Sequence, residues 1–187
     1  GSVAHELTTL VSLLGPQLRF LDVGGCHLGA LATLVERCPH VEVADCSGAR
    51  LVPRALEMLG ALPLRRLNLS HCELGSYTED DLVRSLGRLH HLHELVLESC
   101  SLSDEALRAL PCALSRLRTL SLADNPALSA ATLAHLARDL PRLVSLDLSD
   151  TELAMPAAAE GALGNAIDAA VDALLLMPSL DDLSLMR

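Results

Sequence analysis

The sequence predicts an α/β solenoid of about seven repeats, with a curved parallel sheet on the concave face and helices on the convex face. Three observations carry that prediction. A unit of the form LxxLxLxxCxL recurs along the 187 residues. Within each unit the LxLxx piece alternates apolar and polar residues, as a half-buried strand does. Between the units, apolar residues fall at helical spacing behind helix-start residues. Composition fits this arrangement. Half of the chain is hydrophobic but only 1% is aromatic, and leucine supplies about a quarter of it, so the core is aliphatic. A single unit cannot bury its leucines alone; stacked units can.

Residues 1–17 precede the repeats: Gly1-Ser2 reads as a cloning scar, and Val3–Leu14 as an amphipathic flanking helix. The repeat domain runs over 18–187. Its first unit is Leu18-Arg19-Phe20-Leu21-Asp22-Val23, leading to Cys26 and Leu28. A degenerate copy runs from Cys38 through Val41 and Val43 to Cys46. Clear copies begin at Leu64, leading to Cys72, and at Leu92, leading to Cys100. Others begin at Leu117, leading to Asn125, at Leu143, leading to Thr151, and at Leu180. Taking Leu21, Val41, Leu67, Leu95, Leu120, Leu146 and Leu183 as the fourth positions gives intervals of 20, 26, 28, 25, 26 and 37 residues. Thr78-Glu79-Asp80-Asp81 and Ser103-Asp104-Glu105 each place a capping hydroxyl ahead of carboxylates in a helix's positive first turn. They open helices that reach Leu89 and Leu114. Helices also fit Ala30–Arg37, Ala55–Leu62, Ala130–Asp139 and Asn165–Leu176. The long last interval holds an alanine-rich insert near 154–164, read as a solvent loop or an extra helical turn. Arg187 falls one residue short of the next ninth position, so the native protein is expected to continue, and open ends leave self-association of protomers as one mode of contact.

Units of this length, with helices between the strands and Cys at the ninth position, resemble the leucine-rich repeats of the ribonuclease-inhibitor-like and cysteine-containing intracellular classes. Cys100-Ser101-Leu102-Ser103-Asp104-Glu105-Ala106-Leu107 carries much of the likeness. The resemblance implies a non-catalytic scaffold that binds a protein partner. Residues Leu95 to Ser129 also resemble the PRAME family, through 97–104 and 120–126, which implies the substrate-recognition arm of a ubiquitin ligase. No cullin-binding box or F-box is recognised. A sensing or autoinhibitory repeat domain of an intracellular receptor is the further alternative.

Charge narrows the partners. Fourteen basic residues, all Arg, stand against 24 acidic ones, for a net charge of −10. With almost no aromatic side chains, the chain lacks the phosphate contacts and stacking that nucleic-acid binding uses. No apolar run reaches the roughly 20 residues a bilayer requires. The partner is therefore expected to be a protein, with no nucleic acid, membrane or cofactor. Six cysteines without close CxxC pairing read as reduced thiols, which predicts an intracellular home, cytoplasmic or nuclear.

Four sharper readings fail on geometry. Cys26, Cys46, Cys72 and Cys100, taken as equivalent ladder positions, lie along a line and cannot converge tetrahedrally on a metal. His90, His91, His93 and His71 match no ligand spacing, and Asp45, Asp124, Asp147 and Asp150 are too spread for Ca²⁺. An eighth-position column of Gly25, Asp45, His71, Ser99, Asp124 and Asp150 would place Asp, His and Ser side by side. An open sheet face, however, offers neither an oxyanion hole nor a water-excluding pocket. The expectation is no enzyme and no metal. What remains is the concave face, whose candidate partner-binding residues are Arg19, Phe20, Asp22, Glu42, Arg65, Arg66, Asn68, His71, Glu94, Glu98, Asp124, Asp147, Asp150 and Asp182. The set passes from a mixed, arginine-containing end to an acidic one.

Overall fold

The computed structural model describes residues 15–26, 35–74, 77–108, 114–151 and 171–186. A short 3-10 turn, Gly15–Gln17, leads into seven three-residue strands. These are β1 (Phe20–Asp22), β2 (Val43–Asp45), β3 (Arg66–Asn68), β4 (Glu94–Val96), β5 (Thr119–Ser121), β6 (Ser145–Asp147) and β7 (Asp182–Ser184). They form one sheet in chain order, every neighbour parallel. The predicted α/β solenoid is the observed fold.

Count each repeat from its first leucine, with Leu18 at position one. Positions one, four and six turn inward, as in Leu92, Leu95 and Leu97 or Leu143, Leu146 and Leu148, all buried. Each such leucine contributes about 1.5–3 kcal/mol by leaving water. The helices bring Leu56, Leu59, Leu82, Leu86, Leu107, Leu133 and Leu136 into the same core. They therefore cover that side of the sheet, positions three and five face away from them as strand alternation requires, and position two, just before each strand, is exposed or half-buried.

Four helices are bounded among the described residues: α1 (Pro53–Leu59), α2 (Glu79–Leu86), α3 (Asp104–Arg108) and α4 (Ala130–Asp139). Proline at the first turn of α1 presets the backbone without losing a helical bond. Where α1 ends, a Cβ added at Gly60 would stand 2.5 Å from the Arg88 Cβ, so the next repeat's approach requires glycine there. In α2, Thr78 and Asp81 form a reciprocal capping box: the Asp81 N–H donates to Thr78 Oγ1 at 3.2 Å, and the Thr78 N–H to Asp81 Oδ2 at 3.3 Å. The sequence placed α4 at the same bounds. It set α1 and α2 a few residues too late, because the buried Leu62 and Leu89 that close the apolar pattern sit in the turns after the helices.

The degenerate second repeat needs correction. Leu21 pairs with Ala44 and Ala44 with Leu67, so Ala44, not Val41, holds position four. Val41 is that repeat's position one, and the first two intervals become 23 and 23. The same shift moves Cys46 to position six beside Val23 and Leu69, and gives position nine to Ala49: the turn bonds from Cys26 to Val23, Ala49 to Cys46 and Cys72 to Leu69 are equivalent. Outside the described residues lie the Val3–Leu14 helix, most of the helix at 30–37, residues 165–170 of the last helix, the insert at 154–164, Cys112 and Gly75-Ser76.

Candidate functional site

The turns that end the strands set the edges of the open face. Position nine satisfies backbone carbonyls that the turn leaves inside. Cys72 Sγ donates to the Cys46 carbonyl at 3.3 Å, Cys100 Sγ to the Leu69 carbonyl at 3.1 Å, and Thr151 Oγ1 to the Leu148 carbonyl at 2.7 Å. Asn125 does the most. Its Nδ2 donates to the carbonyls of Leu97, Leu122 and Ala123, while its Oδ1 accepts from the Cys100 and Leu102 N–H groups. Burial pushes the Cys46 and Cys100 thiols up to about 12 and raises Cys72 as well, so these sulfurs are structural groups and not thiolates.

Position eight takes the left-handed conformation in every described repeat up to β6: Gly25, Gly48, His71, Ser99, Asp124 and Asp150 all have φ between 53° and 66°. Gly48, not Asp45, is therefore the second member of this column. The Asp–His–Ser row read from the sequence is not formed, since His71 has Gly48 on one side and Ser99 on the other. Ser99 Oγ donates instead to the Asp124 carboxylate.

Position five holds the turns. The Gly24 N–H donates to Asp22 at 3.0 Å, Ser47 to Asp45 at 2.9 Å, Ser70 to Asn68 at 3.0 Å and Ser149 to Asp147 at 2.9 Å. Burial pushes the Asp45 carboxyl up, but hydrogen bonds from Ser47 and Asn68 outweigh it and hold the group below the ordinary carboxylate range. Asp22, Asn68 and Asp147, read from the sequence as contact residues, thus also close the strand-end turns.

The other candidate side chains lie on the open face. Glu42 is at position two, where it bridges Arg19 at 2.8 Å and Arg65 at 3.3 Å. At position three, Arg66 pairs with Glu94 at 3.1 Å, Phe20 is 57% exposed, and Asp182 accepts from Ser145 Oγ at 3.0 Å. Glu98 accepts from Ser121 Oγ at 3.1 Å, and Asp150 is exposed at the edge.

The column alignment shows a second pattern. Call the side where the chain enters the strands the leading rim, and the side where it leaves them the trailing rim. On the leading rim, position zero reads Gln17, His40, Pro63, His91, Arg116, Arg142 and Ser179, and position two reads Arg19, Glu42, Arg65, His93, Arg118, Val144 and Asp181. On the trailing rim are Asp22, Asp45, Glu98, Asp124, Asp147 and Asp150. Charge is thus divided across the strands as well as along the stack. The sequence reading followed the eighth-position column and did not pick out Arg116, Arg118 and Arg142, which come into view on reading down positions zero and two. Among the described residues, no group of three His, Cys, Asp or Glu is arranged to hold a metal ion, and no helix is long and apolar enough to cross a membrane.

Comparison with known proteins agrees with the architecture. A family model described as Leucine Rich repeat matches residues 62–76 and 88–110. Protein NLRC5 of Mus musculus is 33% identical over 109 residues, covering 54% of this chain but 6% of the longer protein. Among solved structures, the leucine-rich repeat-containing protein LegL7 of Legionella pneumophila superposes with a TM-score of 0.65 at 22% identity, over 90% of this chain and 57% of that one. The chain thus spans only part of the relatives it matches. With the repeated motif, the in-register parallel sheet and the family match in agreement, the chain is a leucine-rich-repeat protein.

Proposed function

We propose that this chain is a non-catalytic binding platform of the intracellular, cysteine-containing kind, which engages a protein partner through the open face of its sheet. The observation that carries this reading is the array itself. Seven in-register strands hold rows of exposed polar side chains on one rigid face, anchored from behind by a continuous leucine core. Pre-organised side chains bind without a large ordering cost. The mixed charges at Arg66, Glu94 and Asp182 supply specificity and association rate more than raw affinity. Phe20 and the arginines are the side chains of the type that dominate interfaces. Free, buried cysteines support a reducing compartment. A protein partner fits better than nucleic acid, given the net charge of −10 and 1% aromatic content.

Position three tests the reading, because it points out from the middle of the face and closes no turn. Immobilised wild type and a Phe20→Ser, Arg66→Glu, Asp182→Arg variant are compared for capture of proteins from lysate, with thermal melting as the folding control. A partner held by wild type and weakened at least about tenfold in the variant is expected, as for loss of hot-spot contacts. Equal capture by both would falsify binding through this face.

A further inference from the structure

We infer that the leading rim is a docking groove for an extended acidic segment of a protein partner. The inference deepens the protein-binding reading above and rests on it. In a chain of net charge −10, five of the 14 basic residues, Arg19, Arg65, Arg116, Arg118 and Arg142, fall on this rim. Three imidazoles, His40, His91 and His93, lie among them. The backbone fixes this placement. Position-two residues are tied one to the next by N–H to carbonyl bonds, Glu42 to Arg19, Arg65 to Glu42, His93 to Arg65 and Arg118 to His93. Adjacent members therefore sit about 4.8 Å apart.

Around β1 to β5 the rim opens into a groove of about 570 Å³ between the two columns. Among its described lining residues Glu42 is the one carboxylate, and it is shared between Arg19 and Arg65. Arg116, Arg118 and Arg142 are exposed and make no salt bridge with the described residues. Guanidinium groups held side by side without counter-charge match carboxylates in a bidentate fashion.

From β1 to β6 the rim covers five strand spacings, about 24 Å, which an extended peptide of roughly seven residues would span. A nucleic acid suits the rim less well. It would bring a second phosphate row toward the acidic trailing rim, and among the described lining residues the only rings on which a base could stack are the imidazoles of His40, His91 and His93, with no Phe, Tyr or Trp beside them. Binding of this kind weakens with salt, since exposed charges are screened within a Debye length.

The test is fluorescence anisotropy with labelled octaglutamate, against octalysine and a ten-nucleotide oligo-dT as comparison probes. Wild type is expected to bind octaglutamate in preference to both. The affinity should fall at least about tenfold between 50 and 500 mM NaCl, and by a similar factor in an Arg116→Glu, Arg118→Glu, Arg142→Glu variant that melts like wild type. The position-three variant keeps these three arginines and is expected to retain octaglutamate binding. Octaglutamate binding that the charge reversal leaves unchanged, no binding at all, or tighter binding of oligo-dT each overturns the inference. Failure here leaves the broader reading standing whenever wild type still captures a protein that the position-three variant loses.

Discussion

At the scale of single residues, the ninth position shows why a polar side chain belongs inside an apolar stack. Asn125 is fully buried, yet its amide closes five bonds to backbone groups of two successive repeats. Cys72, Cys100 and Thr151 each have one donor and reach one or two carbonyls from the same place. Ala49 has none, and contributes to its turn only the backbone N–H that donates to the Cys46 carbonyl. Asn125→Ala strips partners from buried N–H and C=O groups, each of which costs about 1–3 kcal/mol when left unpaired. A loss of about 3 kcal/mol or more is expected in urea unfolding, whereas Thr151→Ala, with one bond, is expected to lose about 1 kcal/mol. Equal losses would mean that the ladder bonds do not set the stability of the turn.

Between elements, the bond that couples α3 to α4 gives a pH dependence of known sign. Asp104 accepts from the Ser129 N–H at 2.9 Å and from Ser129 Oγ at 2.6 Å, with Thr132 Oγ1 as a third donor. One carboxylate thus starts its own helix and caps the next. Burial pushes the Asp104 carboxyl up, but the bonds from Ser129 and Thr132 prevail, so its folded value lies below the ordinary one. The stabilisation is fully present above the unfolded carboxylate value, about 4, and disappears as pH falls through the lower folded value. Asp104→Asn should therefore lower the melting temperature at pH 7 and flatten its fall between about pH 4 and pH 2, as followed by circular dichroism. Elements of this kind were legible in the sequence where local chemistry repeats, as in Thr78-Glu79-Asp80-Asp81 or the strands with leucine at positions one, four and six. The second repeat was not. With alanine at position four and cysteine at position six, two frames three residues apart are both apolar enough, and only pairing with the neighbouring strands decides between them. That displacement also produced the apparent Asp–His–Ser column. Asp104's reach into the next helix was likewise hidden, since its partners lie 25 and 28 residues away.

For the whole molecule, the continuous core makes the cysteines reporters on unfolding. Cys46, Cys72 and Cys100 lie buried in three successive repeats, while Cys26 is exposed. Among the described cysteines, Cys26 should be alkylated first when native protein is treated with iodoacetamide. Cys46, Cys72 and Cys100 should follow together across the urea transition, because one leucine core spans their repeats. Stepwise labelling along the chain, read by peptide mass spectrometry, would show that the repeats open one by one. The division of charge was only partly legible, since a rim exists only once the repeats are superposed. The in-register stacking has one more consequence, for any chain that lies across it. Strands recur about every 4.8 Å, whereas an extended peptide advances about 3.3 Å per residue, so two steps of the sheet match three of the peptide. The two spacings act as a vernier: because successive side chains of an extended segment point to opposite faces, every sixth one meets an equivalent position, on every fourth repeat. A partner's recognition signal would then be written with a period of six, a rhythm set by the stack and not by the peptide's own two-residue alternation.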